Sequence, residues 1–486
     1  MKPNFLVFMT DQQRGDTQPP FDRAYMPNLE RLYQNGISFT NSYCNAPHCC
    51  PSRACFFSGL YPSEHGIWNN VNYTSAFTRG LYEDVRLFPE DMKEAGYELY
   101  FSGKWHVSAE QGPEEFGFEV LYNEMKYGKY EKYPNHPEVR EWKSWEEVKR
   151  DTVDTVKTVE GQIVRPGYPP FIQYGINERP FRDEETIEAA EAKIAELDGD
   201  KPFLMYVGTL GPHDPYFVPQ RFLDMYKIED IRLPESFEDY MEDKPRLYQR
   251  TRSRFDQLSA DEHRESLRRY LAFCTYQDYL FGRLIEGLEK KGLLENTYVI
   301  YLSDHGDYAG DHGLWAKGLP AFKGAYHICS AIGFGGIKDV HRAENALVSL
   351  TDWPCTILDL AGTAPKNPMT GSSLRPFIEN RQPEAWRDTF FTQSNGNEIY
   401  GIQRIVFDNR WKYVYNTFDF DELYDLENDP NEMKNLAGDP QYLPVIQDMC
   451  EKMWKFAHDH QDANIDRYIM TGLAPFGPGI IFDKRS

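Results

Sequence analysis

The chain lacks the features that mark membrane proteins, disulfide scaffolds and nucleic-acid-binding proteins. No apolar run among its 486 residues approaches the ~18–20 residues of a membrane-spanning helix. Its eight cysteines form no paired framework, so we expect mostly free, buried thiols. Positive charge is scarce, since 53 Lys and Arg face 76 Asp and Glu, and the formal net charge is −23. Such a surface repels nucleic acid and long polyanions, but a local basic pocket can still hold a small anion.

The amino-terminal residues printed here predict no secretory leader. The first four residues run directly into an apolar stretch at 5–9, with no basic region, long apolar core or small-residue cleavage site. We therefore expect a cytoplasmic protein, or one from which a leader has been removed. Hydrophobic residues make up 41% of the chain and aromatic residues 15%, which is typical of a globular protein. This length predicts one large domain with a smaller companion.

Short apolar runs alternate with helical patterns over most of the chain. Helical spacing is found at 183–197 and 260–291. Continuous apolar strands between helices predict an α/β fold with a mainly parallel sheet covered on both faces. The predicted strands are 5–9, 97–101, 203–207 and 297–302.

The pattern changes near residue 385. Three short predicted strands, at 389–392, 401–407 and 411–415, precede a helix at 444–458. We therefore predict a main domain, 1–384, and a small C-terminal α+β subdomain, 385–486. The apolar residues at 471–486 predict a docked arm.

Two polar stretches, 127–180 and 227–262, break the alternation of strands and helices. One interpretation is solvated surface. The other is a rim that shapes access to a site, because long loops in compact domains are often functional.

Polar side chains follow the predicted strands directly. Ligands of mainly parallel sheets bind at the carboxyl ends of the strands, so these side chains should meet at one edge. Asp, His and amide oxygens suit a hard divalent cation. The residues concerned are Asp11, Gln12, Lys104, His213, Asp304 and His305.

The most specific motif is Cys49-Cys50-Pro51-Ser52-Arg53. A cysteine followed by Pro and Arg two and four residues later is neither a metal nor a disulfide spacing. It resembles the signature of type I sulfatases, in the alkaline phosphatase superfamily. The other family elements follow in family order across nearly the whole chain: Asp11-Gln12, Gly103-Lys104-Trp105-His106, Pro212-His213-Asp214-Pro215, Asp304-His305, Lys317 and the segment 422–430.

Two of these elements differ from the pattern of many sulfatases. Asp11-Gln12 stands where many members have two acidic residues, and Asp304-His305 stands where they often have Asp-Asn. Both pairs resemble the choline sulfatase and phosphonate monoester hydrolase branch.

The resemblance implies an alkaline-phosphatase-like α/β/α sandwich and a modified nucleophile. Cys49 would be oxidised to formylglycine by a formylglycine-generating or an anaerobic sulfatase-maturing enzyme. Calcium is the expected metal, with manganese as the second choice because imidazole tolerates it. The implied metal-site residues are Asp11, Gln12, Asp304, His305 and residue 49.

The resemblance also implies roles around the sulfate group. Arg53, Lys104 and Lys317 would hold its oxygens. His213 is the candidate acid for the leaving oxygen. His106 is the candidate base for the formylglycine hydrate, or only orients it.

Other nearby residues have less certain assignments. Asn70 is the candidate substrate contact, with Asn69 and Asn72 as competitors. We expect His65 and His312 to be structural.

The predicted function is hydrolysis of a small organic sulfate ester. Aryl, choline, sugar and sulfamate substrates all remain open. One alternative is a phosphonate monoester or phosphodiester hydrolase using the same site. Another is a binding protein on an inactive scaffold, which requires a lost nucleophile or metal ligand, and the sequence lacks neither. We expect no nucleic-acid or membrane partner. The oligomeric state stays open, and analogy with the branch favours a dimer or tetramer.

Overall fold

The structure is a computed structural model that describes residues 2–72, 76–123, 156–164, 170–337, 342–397, 399–465 and 473–482. Numbered along the chain, its strands are β1 (Asn4–Thr10), β2 (Gly36–Phe39), β3 (Ser42–Tyr43), β4 (Glu98–Gly103), β5 (Glu119–Tyr122), β6 (Gln162–Ile163), β7 (Phe171–Ile172), β8 (Tyr174–Ile176), β9 (Phe203–Gly208), β10 (Tyr216–Val218), β11 (Thr297–Ser303), β12 (Ser330–Phe334), β13 (Arg342–Glu344), β14 (Val348–Ser349), β15 (Phe390–Gly396), β16 (Tyr400–Phe407), β17 (Trp411–Asn416) and β18 (Glu422–Asp425). Its α-helices are Pro27–Gln34, Cys49–Ser58, Pro62–His65, Phe88–Glu94, Asp183–Glu196, Gln220–Leu223, Arg246–Arg252, Ala260–Lys290, Lys323–Tyr326, Asp352–Leu360, Arg375–Ile378 and Leu443–Asp459.

The centre is an eight-stranded sheet with the order β13-β2-β12-β11-β1-β9-β4-β5. Five of its seven pairings are parallel and two are antiparallel. The four strands predicted from apolar runs are β1, β4, β9 and β11, and they are neighbours in this sheet. The prediction of a mainly parallel α/β sheet is therefore confirmed.

Side chains of β1 alternate between two hydrophobic cores, one on each face of the sheet. Phe5, Val7 and Met9 pack into one core, and Leu6 and Phe8 into the other. All five are fully buried. Burial of such side chains contributes roughly 1.5–3 kcal/mol each, which explains why the strand reads as a continuous apolar run.

Helices cover both faces of the sheet. The long helix Ala260–Lys290 opens with a capping box, in which Ser259 and Glu262 satisfy each other's backbone N–H groups. It packs with helices Pro27–Gln34 and Asp183–Glu196 on one face. Helices Cys49–Ser58, Phe88–Glu94 and Asp352–Leu360 cover the other face. The layers form the expected α/β/α sandwich.

A four-stranded antiparallel sheet, β15-β16-β17-β18, follows the main domain. Val406, Tyr413 and Leu423 on one face pack against helix Leu443–Asp459. Phe390 and Phe407 belong to the main hydrophobic core and contact Tyr43. The C-terminal sheet is thus continuous with the core of the main domain.

The structure describes the polar stretch 227–262 completely and the polar stretch 127–180 only in part. In 227–262 the chain forms helix Arg246–Arg252, and Lys244 is fully buried between Asp239 and Asp243. This stretch is therefore packed rather than loose. Of 127–180, residues 127–155 and 165–169 lie outside the described residues. In the C-terminal arm, 473–482 dock on helix Leu443–Asp459, and Trp454 Nε1 donates to the carbonyl of Phe476 over 2.6 Å.

Within the described parts of the chain, no helix combines the length and apolar character needed to cross a membrane.

Candidate active site

The predicted site residues meet at the carboxyl ends of four adjacent strands. Asp11 follows β1, Lys104 follows β4, His213 follows β9 and Asp304 follows β11. Backbone hydrogen bonds join these ends, from Asp304 N to the Thr10 carbonyl (3.2 Å) and from Lys104 N to the Gly208 carbonyl (2.8 Å). The parallel sheet therefore brings together residues that lie far apart in the chain.

Cys49 is the first residue of helix Cys49–Ser58, and its Sγ lies beside the strand ends. This sulfur is 3.3 Å from His305 Nε2 and 3.7 Å from Asp11 Oδ1. A helix amino terminus favours negative charge. The backbone and its neighbours therefore place residue 49 where an anionic nucleophile is stabilised.

Asp11, Cys49, Asp304 and His305 form a fully buried cluster whose potential ligand atoms all lie within 4.8 Å of one another. Burial and the nearby Asp11 carboxylate raise the pKa of Asp304. A divalent cation relieves the repulsion between two such carboxylates, and oxygen and imidazole are suitable ligands. The donor set therefore fits a divalent cation.

Gln12 lies next to this cluster, and its side chain is fully engaged. Its Oε1 accepts from Lys317 Nζ (2.7 Å), and its Nε2 donates to Asp214 Oδ1 (3.1 Å) and Asp307 Oδ2 (2.7 Å). Its backbone N–H donates to Asp304 Oδ1 (3.1 Å). The amide oxygen that we predicted as a metal ligand is thus also the acceptor for Lys317.

Arg53 is buried behind the cluster. Its guanidinium donates to Asp304 Oδ2 (2.8 Å), Asp11 Oδ2 (3.4 Å), Tyr206 Oη (3.0 Å) and the Lys104 carbonyl (3.0 Å). All three of its nitrogens are engaged in these bonds. The geometry therefore shows Arg53 orienting the two carboxylates, whereas the sequence predicted a contact with sulfate.

Two lysines and a histidine lower the pKa of residue 49. Burial alone raises the pKa of the Cys49 thiol, but Lys104, Lys317 and His305 outweigh this effect, and the net pKa is well below the ordinary value. Lys104 Nζ also forms a close ion pair with Asp11. Negative charge at position 49 is strongly favoured.

The two candidate acid–base histidines have opposite pKa shifts. Burial and Lys104 lower the pKa of His106 to about 4. Burial and Lys317 also lower the pKa of His213, but Asp214 and Cys49 outweigh them and raise it above its ordinary value. His213 Nε2 lies 2.6 Å from Lys317 Nζ.

A cavity of about 310 Å³ opens beside these groups. Its volume is in the range of pockets that hold small organic ligands. Residues of the site form one side, and residues from several distant segments form the rest. The lining includes His48, Asn70, His213, Asp214 and Lys317, together with Ile163, Phe171, Leu247, Thr251, Phe255, Leu319, Asn397 and Ile399.

Sequence reasoning missed several residues of this site. Asp307 accepts from Gln12 and from Tyr216 Oη (2.6 Å), and Asn397 accepts from Asn70 N (3.0 Å). Asp307 follows Asp304 by three residues, so its place in the Asp-His-Gly-Asp run was an available signal. Asn397 had no signal, because it follows β15 and lies 327 residues along the chain from Asn70.

His65 and His312 have the structural contacts that we expected. His65 Nε2 lies 3.3 Å from Cys55 Sγ, and His312 Nδ1 lies 2.7 Å from Asp239 Oδ2. All eight cysteines are free, and only Cys355 is not fully buried.

Strand-end carboxylates and an imidazole around a helix-borne cysteine, in an α/β/α sandwich, define a hydrolase of the alkaline phosphatase superfamily. The sulfatase family model matches residues 3–363, and the chain belongs to the sulfatase family. A second model, N-sulphoglucosamine sulphohydrolase, C-terminal, matches residues 310–459. The protein is accordingly a sulfatase, an enzyme that hydrolyses sulfuric esters.

Individual relatives resemble the chain over almost its full length. It is 28% identical over 477 residues to the choline-sulfatase of Rhizobium meliloti (strain 1021), covering 93% of this chain and 87% of that protein. It is 27% identical over 464 residues to the arylsulfatase of Clostridium perfringens (strain 13 / Type A), covering 92% of each. The phosphonate monoester hydrolase of Agrobacterium radiobacter has the same fold, with a TM-score of 0.76, 24% identity, and coverage of 94% of this chain and 96% of that one.

Proposed function

We propose that the protein hydrolyses a small organic sulfate ester with a formylglycine derived from Cys49 and a divalent cation, calcium first and manganese second. The observation that carries this proposal is the environment of residue 49. Its sulfur lies within 3.3 Å of His305 and 3.7 Å of Asp11, and two lysines favour negative charge there. Such surroundings stabilise an anionic oxygen equally well.

A hydrated formylglycine would supply the hydroxyl nucleophile, and a bound cation would stabilise its negative charge. Asp11, Asp304, His305 and Gln12 are the residues that would hold the cation. Arg53 supports this set, because it donates to both carboxylates. A charge-assisted bond from a buried guanidinium fixes the orientation of each carboxylate.

Lys104 and Lys317 are suited to bind the sulfate oxygens. Both ammonium groups lie close enough to residue 49 to lower its pKa. As point charges they attract the sulfate without demanding one orientation, and they offset the charge that develops during transfer to residue 49.

His213 is suited to protonate the leaving oxygen. Its pKa is raised, so the protonated imidazolium persists to higher pH than in a free histidine. It also lines the cavity that receives the alcohol half of the ester. A proton from His213 neutralises the alkoxide as the bond between sulfur and oxygen breaks.

His106 is suited to accept the proton from the second hydroxyl of residue 49. Its lowered pKa, about 4, keeps the imidazole neutral near pH 7. Its Nδ1 is buried without a hydrogen-bond partner among the described residues. A neutral imidazole beside residue 49 can act as the base that releases sulfate.

A phosphonate monoester hydrolase is the second candidate, because Asp304-His305 stands where many sulfatases have Asp-Asn and resembles the pair of the phosphonate monoester hydrolase branch. The deciding measurement is kcat/KM of the formylglycine-containing enzyme for 4-nitrophenyl sulfate and for a 4-nitrophenyl phosphonate monoester. We expect the sulfate to be preferred. A preference for the phosphonate would assign the second function. A protein that retains formylglycine but turns over neither ester would support the inactive scaffold.

Three expectations from sequence accompany this proposal: maturation by a formylglycine-generating or anaerobic sulfatase-maturing enzyme, a cytoplasmic location, and assembly of identical subunits. The division into a catalytic domain, 1–384, and a C-terminal subdomain, 385–486, likewise stays a prediction.

A further inference from the structure

Asn397 of the C-terminal sheet is linked to the nucleophile through two hydrogen bonds. Its Oδ1 accepts from Asn70 N over 3.0 Å. Asn70 Oδ1 in turn accepts from Cys50 N over 3.1 Å. Since Cys50 adjoins residue 49, this relay joins a residue that follows β15 to the amino terminus of the catalytic helix.

These two bonds fix the orientation of both side-chain amides. In each amide the oxygen must face the backbone N–H that it accepts, so the NH₂ group points the other way. Neither Nδ2 has a hydrogen-bond partner within the residues that the structure describes. Both residues line the cavity that His213 and Lys317 also line. The cavity is therefore lined by two side-chain amides whose NH₂ groups can donate hydrogen bonds to a ligand.

The backbone of the C-terminal sheet holds Asn397 in this place. Gln393 N, in β15, donates to the Asn45 carbonyl of the main domain over 2.9 Å. Gly396 then turns the chain with a φ of 75°, and a Cβ there would overlap the carbonyl oxygen of Ile399. Only glycine fits such a turn without strain, so the bond from Gln393 and the turn at Gly396 together set where the chain places Asn397.

We propose that Asn397 is a substrate-binding residue which, with Asn70, recognises acceptor oxygens on the alcohol half of the sulfate ester. This assignment rests on the proposed function and narrows it. The substrate class is a sulfate ester whose alcohol carries a hydroxyl, ether or carboxyl oxygen close to the ester, as in a sulfated sugar. Choline and unsubstituted phenol offer no such oxygen, so they leave both donors unpaired.

The size of the effect follows from the strength of a neutral hydrogen bond. A hydrogen bond between uncharged groups contributes a net factor of about 3–10 in binding. An analogue that lacks the oxygen is therefore discriminated against at the site, even if its sulfate group binds normally.

The test uses the full-length, formylglycine-containing enzyme with two monoanionic esters, a hexose monosulfate and phenyl sulfate. Asn397→Ala removes both the acceptor and the donor. Asn397→Asp keeps an oxygen for Asn70 N but replaces the NH₂ group. We expect the ratio of kcat/KM, hexose monosulfate over phenyl sulfate, to fall about 3–10-fold in both variants relative to the wild type. The negative charge that Asn397→Asp introduces acts on both anionic esters and cancels in this ratio.

The control variant is Asn367→Ala, an exposed asparagine away from the cavity, which should leave the ratio unchanged. Thermal melting confirms that each variant is folded. If Asn397 only positions Asn70, the ratio falls in Asn397→Ala but recovers in Asn397→Asp, which overturns the assignment. A ratio that stays at the wild-type value in both variants overturns the substrate class. A modified wild type that hydrolyses neither ester overturns the proposed function, and the assignment with it.

Discussion

At the scale of single residues, Asp307 ties together the groups that surround Lys317. Its Oδ2 accepts from Gln12 Nε2 and Tyr216 Oη. Its Oδ1 accepts from the backbone N–H groups of Ala309 and Ala316, over 2.7 and 3.0 Å. Gln12 accepts a hydrogen bond from the Lys317 side chain, and Ala316 is the residue before Lys317. The Asp307 carboxylate therefore positions both the side chain and the backbone of Lys317.

Replacing this carboxylate by an amide should disturb the site without removing volume. In Asp307→Asn the NH₂ group faces either the Gln12 Nε2 donor or the two backbone N–H donors, so Gln12 or the 316–317 backbone must move. Groups that support a metal or sulfate site typically cost about 10–100-fold in activity when altered, and we expect kcat/KM to fall in that range. The control is Tyr216→Phe, which removes one donor only and should have a smaller effect. Wild-type kcat/KM in Asp307→Asn would contradict this role.

Local motifs predicted most of the site but not how its members bond to one another. Asp11, Lys104, His213 and Asp304 follow apolar runs, so their meeting at one sheet edge could be inferred from chain order. The partners of Arg53 could not, because they depend on where four strands place their ends.

At the scale of elements, the buried strands were the most predictable part. The run at 203–207 became β9 (Phe203–Gly208), and the run at 297–302 became β11 (Thr297–Ser303). Central parallel strands are buried on both faces and so cannot contain polar residues except at their ends. The charged stretch 227–262 was harder to interpret, because the partner that orders it, His312, comes from a distant loop.

A pH-dependent experiment tests whether this stretch is anchored. Burial alone raises the pKa of Asp239, but hydrogen bonds from His312 and Lys244 outweigh it and lower the pKa to about 2. Because this folded-state pKa is below that of the unfolded chain, the carboxylate stabilises the fold fully above about pH 4 and loses this effect as the pH falls toward 2. We expect Asp239→Asn to lower the free energy of unfolding by about 1–2 kcal/mol at pH 7. This difference between the variant and the wild type should narrow below about pH 4.

Urea unfolding of the wild type and of Asp239→Asn across this pH range measures the difference in free energy of unfolding. Asp256→Asn is the control, since Asp256 pairs with Arg252 in the same stretch but is 47% exposed. It should change stability by less than about 1 kcal/mol. A difference for Asp239→Asn that is the same at pH 7 and below pH 4 would contradict the anchoring role of this carboxylate.

At the scale of the whole molecule, the acidic surface should select against long polyanionic substrates. The net charge of −23 repels every sulfate group of a sulfated polysaccharide, so the polymer is repelled far more strongly than an ester with a single charge. Raising the ionic strength from about 0.01 M to 0.15 M shortens the screening length from about 30 Å to 8 Å. We therefore expect kcat/KM for a sulfated polysaccharide to rise with salt over this range, while that for a small monosulfate changes little.

The small monosulfate is the control for the sulfated polysaccharide in this measurement. If salt lowers kcat/KM for the polymer, the protein attracts polyanions through a local basic surface. That result would contradict the preference for small substrates.

The sequence could not predict every residue that lines the cavity. The C-terminal subdomain was predicted from its strand and helix patterns, and its antiparallel sheet agrees with that prediction. Its contribution of Asn397 to the cavity depends on packing between two sheets whose strands are far apart in the chain. Periodicity in a single sequence carries no information on such contacts.

The central claim, that residue 49 is a formylglycine nucleophile, is tested most directly by mass spectrometry of the peptide containing Cys49 and Cys50. Protein produced in a host with a maturing enzyme is alkylated, digested and assayed for hydrolysis of 4-nitrophenyl sulfate. Burial raises the pKa of Cys50, so this neighbouring thiol should stay unmodified until denaturation and serves as the internal control.

We predict a loss of about 18 Da at position 49 before alkylation, one alkylated thiol at Cys50, and activity that rises in proportion to the converted fraction. The variant Cys49→Ala should have no measurable turnover. Full activity in protein whose Cys49 remains an alkylatable thiol, or in Cys49→Ala, would contradict the account.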